Sequence, residues 1–255
     1  MLAVTDAIVL RSRKQGDTSK IVSLYTREYG LVDVIAKGAR QMKSKFGAAL
    51  EPFTESKIVF YKKEHSELYL LSNAEVNIAH RNLTSDLDHI EAATHIAELL
   101  IRSQHHEESE HRLFELVSKT LTLMDAATPE AVWAILFSFY LRYVSMAGFA
   151  VTLEVDREHA KNLFFDAERG EILDLADRDD PHSERFIPLN NEMLSAMSYL
   201  KSHPLEASSS LRLSAESRYS LEVLFRLYFG YHLEGMQRNR TKAEKVFRQI
   251  NARKR

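Results

Sequence analysis

A change in hydrophobic period near residue 86 limits what this chain can fold into. Before it, β-branched, aromatic and leucine residues come in short runs: Ala7–Leu10, Lys20–Tyr25, Leu31–Ala36, Lys57–Phe60 and Leu68–Leu71. Turn signals stand between them at Gly16-Asp17, Tyr29-Gly30, Gly38, Gly47 and Pro52. This spacing predicts a small all-β unit rather than a parallel sheet with crossover helices. Closing five strands into a barrel removes exposed sheet edges, so a five-stranded barrel over residues 1–80 is the economical solution.

After Asp86 the apolar residues recur every three to four positions. Ile90, Ala93, Ala97, Leu100 and Ile101 form one stripe, and Leu113, Leu116, Val117, Leu121 and Met124 form the next. Both predict amphipathic helices. Pro129-Glu130 suits the first turn of a third helix, Val132–Met146 is apolar nearly all round, and Gly148 ends it. Helical spacing returns at Asn191–Leu200 and at Ser214–His232, where Leu221, Leu224, Phe225 and Tyr228 mark an inner face. Residues 152–188 break the pattern and are acidic, which predicts an irregular insert. The fold class is therefore α+β: a barrel over 1–80, then a helical domain over 81–255 carrying that insert.

The chain contains no cysteine, which excludes disulfide scaffolds, thiolate zinc sites, iron–sulfur clusters and thiol nucleophiles. No apolar stretch long enough for a signal peptide opens it, and the longest apolar run, Ala131–Val151, is broken by Arg142. A cytoplasmic protein without a membrane segment is expected. The formal net charge of -2 conceals a strong asymmetry. Residues 11–63 carry 12 basic and 5 acidic groups, residues 81–200 carry 10 and 22, and residues 201–255 carry 12 and 5.

Arg11, Arg13, Lys14, Lys20, Lys37, Arg40, Lys43 and Lys45 lie on or beside the predicted strands. Four of them fall within Lys37–Lys45, expected to be a mobile loop that follows a phosphate backbone without reading bases. Among the interleaved aromatic residues, Tyr29 and Phe46 occupy turn positions and are expected to be exposed for stacking on unpaired bases. His105, His106, Glu107, Glu108, Glu110 and His111 form a metal-capable cluster, read as a solvated helix junction because nothing marks a converging ligand face. No Gly-rich phosphate loop, nucleophile elbow or H-E-x-x-H motif occurs, so catalysis has no positive support. Arg238, Arg240, Lys242, Lys245 and Arg248 form a second basic segment, suited to DNA, to an acidic partner tail, or to docking on residues 154–180.

The run Asp6–Ser19, with Tyr25–Gly30, Val34–Arg40 and Leu50–Phe53, resembles the N-terminal half of the bacterial RecO family of recombination-repair mediators. Phe139–Tyr143 leading to Ala147-Gly148-Phe149, and Tyr231–Gly235, are similar to that family's central and C-terminal helices. The resemblance implies an oligonucleotide-binding barrel, a helical domain and an inserted zinc module. It also implies binding of single- and double-stranded DNA, annealing of complementary strands, and no enzymatic turnover. The implied partners are RecR and the acidic, Phe-terminated tail of single-strand-binding protein, so that RecA loads on coated strands. Phe139, Arg142 and Tyr143 are candidates for the tail pocket, with core packing as the competing reading. Where the family often carries two C-x-x-C pairs, this chain has Asp156, His159, Asp174 and Asp177, a set that binds zinc far less well than thiolates. A metal-free remnant and no cofactor are expected. The competing functions are a metal-dependent phosphoesterase using the acidic insert and a protein-binding adaptor without DNA affinity.

Overall fold

The computed structural model describes residues 1–63, 66–104, 108–155, 162–174 and 184–233. The chain divides into two compact units, Met1–Pro129 and Glu130–Arg255.

In the first unit, β1 (Leu2–Gln15), β2 (Ser19–Thr26), β3 (Gly30–Ala36), β4 (Glu55–Tyr61) and β5 (Leu68–Ile78) close into a barrel in the order β1-β2-β3-β5-β4. Every neighbouring pair is antiparallel except β3 with β5. Alternate residues point inward, as the pleat requires. The core so formed holds Ala7, Val9, Val22, Leu24, Val32, Val34, Ile58, Phe60, Tyr69 and Leu71. A 3-10 helix at Gly47–Leu50 plugs one end, with Phe46, Ala49 and Leu50 joining that core. Ser56 Oγ donates to Ala49 O at 2.9 Å and fixes the plug. Phe46 is therefore buried, at 4% exposure, which corrects its expected stacking role. Tyr29 is half-buried, edge-on to Phe60 at 5.5 Å.

The outer wall carries a second apolar row, because Ile8 pairs with Tyr25 and Tyr25 with Leu31. All three are buried. Helix α2 (His111–Asp125) lies on this part of the wall, with Phe114 stacked on Tyr25 at 6.2 Å. Arg27 lies over the Phe114 ring at 4.7 Å, pairs with Glu115 and stands 3.6 Å from Asp6. Farther along α2, Ser118 Oγ donates to Glu55 at 2.6 Å, and Asp125 Oδ1 accepts from the Asn82 and Leu83 amides at 2.7 and 3.2 Å. Helix α1 (Leu87–Ser103) starts at Asp86, whose side chain caps the His89 amide at 3.1 Å. Its buried face is Ala92, Ala93, Ile96, Ala97, Leu99 and Leu100. Ile90 stays 39% exposed, so this face is rotated from the expected stripe. Because both helices belong with the barrel, this compact unit ends at Pro129 rather than with the last strand.

The second unit is built on α3 (Pro129–Met146), buried continuously from Ala131 to Leu141. Tyr140 packs on Phe225 and Phe229 of α5 (Ala215–His232), at 5.1 and 4.9 Å between ring centroids. The Tyr228 hydroxyl donates to Phe149 O, and burial pushes its pKa up to about 12. Residues 152–188 are not irregular throughout. Three short strands, β6 (Leu163–Asp166), β7 (Glu171–Asp174) and β8 (Phe186–Pro188), form a sheet ordered β7-β6-β8. Phe165, Ile172, Phe186 and Ile187 are its buried apolar residues, Asp166 is buried beside them, and three- or four-residue strands are too short to print a period among so many carboxylates. Helix α4 (Asn191–Ser202) is joined to α5 at their N-termini. Glu192 accepts from Ser214 N at 2.8 Å, Ser214 Oγ at 2.6 Å and Ser217 Oγ at 2.6 Å. Among the described residues no helix is long and apolar enough to cross a membrane.

This packing sets two expected outcomes. Gly30 has φ +60°, and a Cβ there would collide with the backbone carbonyl of Glu108. A compatible glycine-to-alanine exchange stabilises by up to ~1 kcal/mol, but here Gly30→Ala should destabilise the chain by more than that amount, read as a lowered urea midpoint. Glu192 is held below the ordinary carboxylate range by the hydroxyls of Ser214 and Ser217 and by the Ser214 amide. A carboxylate depressed in this way stabilises above its unfolded pKa, and the contribution is lost as pH falls through the folded one. Glu192→Gln should lower Tm at pH 7 by less than the ~2–4 °C that 1 kcal/mol gives in a chain of this size, because Glu192 is exposed and solvent screens its contribution. It should also lose less of its Tm than the wild type on acidification through the carboxylate range.

Candidate nucleic-acid interface

Strand β1 pairs on two sides, but not along the same residues. Leu2–Ile8 pair with β4, whereas Ala7–Gln15 pair with β2, and the register shifts between Val9 and Arg11. The last bonds on the β4 side are at Val9, whose amide donates to Thr54 O at 3.0 Å and whose carbonyl accepts from Phe53 N at 2.8 Å. Beyond it the β1–β2 hairpin continues with its cations. Arg11 stands opposite Ser23, Arg13 opposite Ile21, and Lys14 opposite Lys20, which in turn faces Ala36, the residue before Lys37. Like charges directly opposite on paired strands repel. Glu51 relieves this repulsion in part, accepting from Lys20 Nζ at 3.2 Å.

The loop after β3 crosses the same end of the barrel. Its turns are closed by Ala39 N to Ala36 O at 3.4 Å, Gln41 N to Gly38 O at 3.1 Å and Ser44 N to Gln41 O at 3.0 Å. Arg40 ties the loop to the hairpin. Its amide donates to Thr18 O at 2.9 Å, and its Nη1 donates to Gly16 O and Asp17 O at 2.9 and 3.0 Å. Lys45 Nζ donates to Ser72 O at 2.6 Å beside the buried Phe46 ring. The loop expected to be mobile is thus anchored at both ends.

The eight cations consequently divide into two groups. Lys20, Arg40 and Lys45 hold protein acceptors. Arg11, Arg13, Lys14, Lys37 and Lys43 are exposed, and among the described residues their side chains make no ion pair or hydrogen bond. Charged side chains on an unpaired strand segment also protect that edge from pairing with another chain, a structural role open to Arg11, Arg13 and Lys14. Lys37 and Lys43 stand on no strand, so edge protection does not account for them.

The other predicted residues lie elsewhere. Phe139 and Tyr143 are buried at 0% and 3%, packed on each other and, for Tyr143, on Phe229. Arg142 Nη1 donates to Ser138 Oγ at 2.7 Å, Ser138 O at 3.1 Å and Leu200 O at 3.1 Å, and Nη2 donates to His203 O. It caps the carbonyl end of α4, which is the packing reading of this trio. Burial holds its pKa below the ordinary arginine value, with Glu206 opposing. Arg238, Arg240, Lys242, Lys245 and Arg248 lie outside the described residues. So do Asp156, His159, Asp177, His105, His106 and Glu107. Asp174 ends β7 and accepts from Asn162 N at 3.2 Å. Glu110 caps α2 through the Arg112 amide at 3.1 Å. A residue without any motif to mark it, Met42, is the second residue of the turn Gln41–Ser44 and is fully exposed at 102%.

Comparisons with known proteins bear on the whole chain. The family model described as recombination protein O N terminal matches residues 1–78, and that described as recombination protein O C terminal matches residues 84–242. A DNA repair protein RecO from Thermoanaerobacter sp. (strain X514) is 26% identical over 238 residues, 91% of this chain and 93% of its own length. The protein of the same name from Chloroherpeton thalassium is 26% identical over 260 residues, 98% and 99% of the two lengths. That from Chlorobaculum parvum reaches 38% over 154 residues, 60% of this chain and 59% of its own. With both models matched in order and an oligonucleotide-binding type of barrel at its N-terminus, this chain belongs to the recombination protein O family.

Proposed function

We propose that this chain is a cytoplasmic DNA repair and recombination mediator that binds single- and double-stranded DNA through its barrel. It anneals complementary strands and, with RecR, helps RecA load on strands coated by single-strand-binding protein. The main support is the set Arg11, Arg13, Lys14, Lys37 and Lys43. All five are exposed, without side-chain partners among the described residues, and grouped about the β1–β2 hairpin and the loop tied to it. Cations placed this way lower the cost of concentrating phosphates at one end of the barrel, and DNA gains affinity by releasing counterions. The barrel type supports the same conclusion, since its hairpin loops and outer strands commonly bind oligonucleotides.

The chemistry is binding rather than turnover. The five cations offer donors to phosphate oxygens but no nucleophile, and phosphate contacts position a strand without specifying its sequence. Single-strand-binding protein's acidic tail fits the cations Arg240, Lys242 and Lys245 better than the buried Phe139 and Tyr143 or Arg142, whose Nη1 and Nη2 donate to protein oxygens.

The expected salt dependence is specific. Lys14→Ala, Lys37→Ala and Lys43→Ala together should flatten the slope of log K against log salt on single strands by about 2, at roughly 0.7 for each phosphate no longer neutralised. Lys45→Ala should change stability with little effect on that slope. An unchanged slope in the triple variant would overturn the assignment. Incubation of labelled duplex and single strands with magnesium should give annealing of complementary strands and no cleavage. Metal-dependent cleavage would favour the phosphoesterase reading instead.

A further inference from the structure

Met42 is the most exposed large apolar side chain of the described residues, at 102%, and it sits among cations. It occupies the second position of the turn Gln41–Ser44, with Lys43 beside it and Lys37 in the turn that opens the loop. The loop cannot easily fold back to cover it. Arg40 fixes one side to the carbonyls of Gly16, Asp17 and Thr18, Lys45 fixes the other to Ser72, and Phe46 is locked into the barrel plug. Glu51 is taken up by Lys20. A single exposed apolar side chain is ordinary by itself, but one presented by a tethered loop beside unpaired cations matches the chemistry of a nucleic-acid strand, with phosphates on the outside and flat apolar bases within.

We propose that Met42 is a wedge that packs between adjacent bases of the strand whose phosphates Lys37 and Lys43 hold, opening the base stack at that point. The thioether suits the role because it is flexible, polarisable and packs well on aromatic faces. Apolar side chains inserted between base steps, methionine among them, are an established way for proteins to unstack DNA. A strand held with its bases parted is also presented for pairing with a complement. The inference rests on the DNA-binding reading above and adds to it a named contact to the bases.

The test uses the full chain and single-stranded oligonucleotides carrying 2-aminopurine, whose fluorescence rises when it is unstacked. Wild type should raise the signal on binding. Met42→Ser should abolish that rise and weaken affinity about tenfold, near the lower end of what truncating a stacking side chain costs, with the salt slope unchanged. Met42→Leu should retain both properties. At full exposure neither substitution disturbs the core, and equal Tm values would show it. Met42→Ser that keeps the fluorescence rise and the affinity would overturn the wedge while leaving the phosphate contacts standing. A wild-type chain with no salt-dependent binding at all would overturn both readings.

Discussion

The divided pairing of β1 governs the first unit. Its first half closes the barrel against β4, and its second half leaves β4 at Val9 and continues with β2 alone. Closure removes the sheet edges over Leu2–Ile8. The same geometry projects Arg11, Arg13 and Lys14 beyond the closed region. The register shift after Val9 is the local device that allows one strand to do both, since a bulge re-aims side chains and strengthens twist. Without it the inward set Ala3, Ala7 and Val9 and the outward Arg11 and Arg13, all at odd positions, could not both be placed on one continuous strand.

The loop after β3 converts this projection into a surface. Phe46, Ala49 and Leu50 seal the barrel end with apolar burial, and Arg40 and Lys45 direct their donors to backbone carbonyls. The remaining cations and Met42 are presented by a loop held on both flanks. Elsewhere on the wall, Phe114 of α2 covers Tyr25, and the row Ile8, Tyr25 and Leu31 is buried away from any ligand. The free part of the barrel is thus defined as much by what α2 hides as by where the cations stand.

Much of this is legible in the amino-acid sequence. The five apolar runs each form a strand because short β-branched, aromatic and leucine segments bounded by turn residues are legible even where both faces are buried, and the change to helical period after Asp86 marks α1 and α2. The full length of β1 is hidden, because Arg11–Gln15 carry no apolar signal and are strand only through their bonds to β2. Phe46 has the pattern of a turn aromatic, since sequence shows the turn but not the barrel end that the turn crosses. Ile90 falls outside the true inner face because alanines at 92, 93 and 97 set the close side of α1 while a larger residue remains outside. The division of cations into engaged and free is not legible at all. Lys20, Arg40 and Lys45 find acceptors 31, 23 to 24 and 27 residues away, which local pattern does not encode.

If DNA lies on the hairpin end of the barrel, the lysines there must become less accessible when it binds. Lysine-selective acylation of the full chain, mapped by mass spectrometry with and without a single-stranded oligonucleotide, reads this out residue by residue. Bound DNA should protect Lys14, Lys37 and Lys43 while leaving Lys57, exposed on β4, as reactive as before. Equal reactivity of Lys14, Lys37 and Lys43 in the free and bound protein would contradict the placement of DNA at that end.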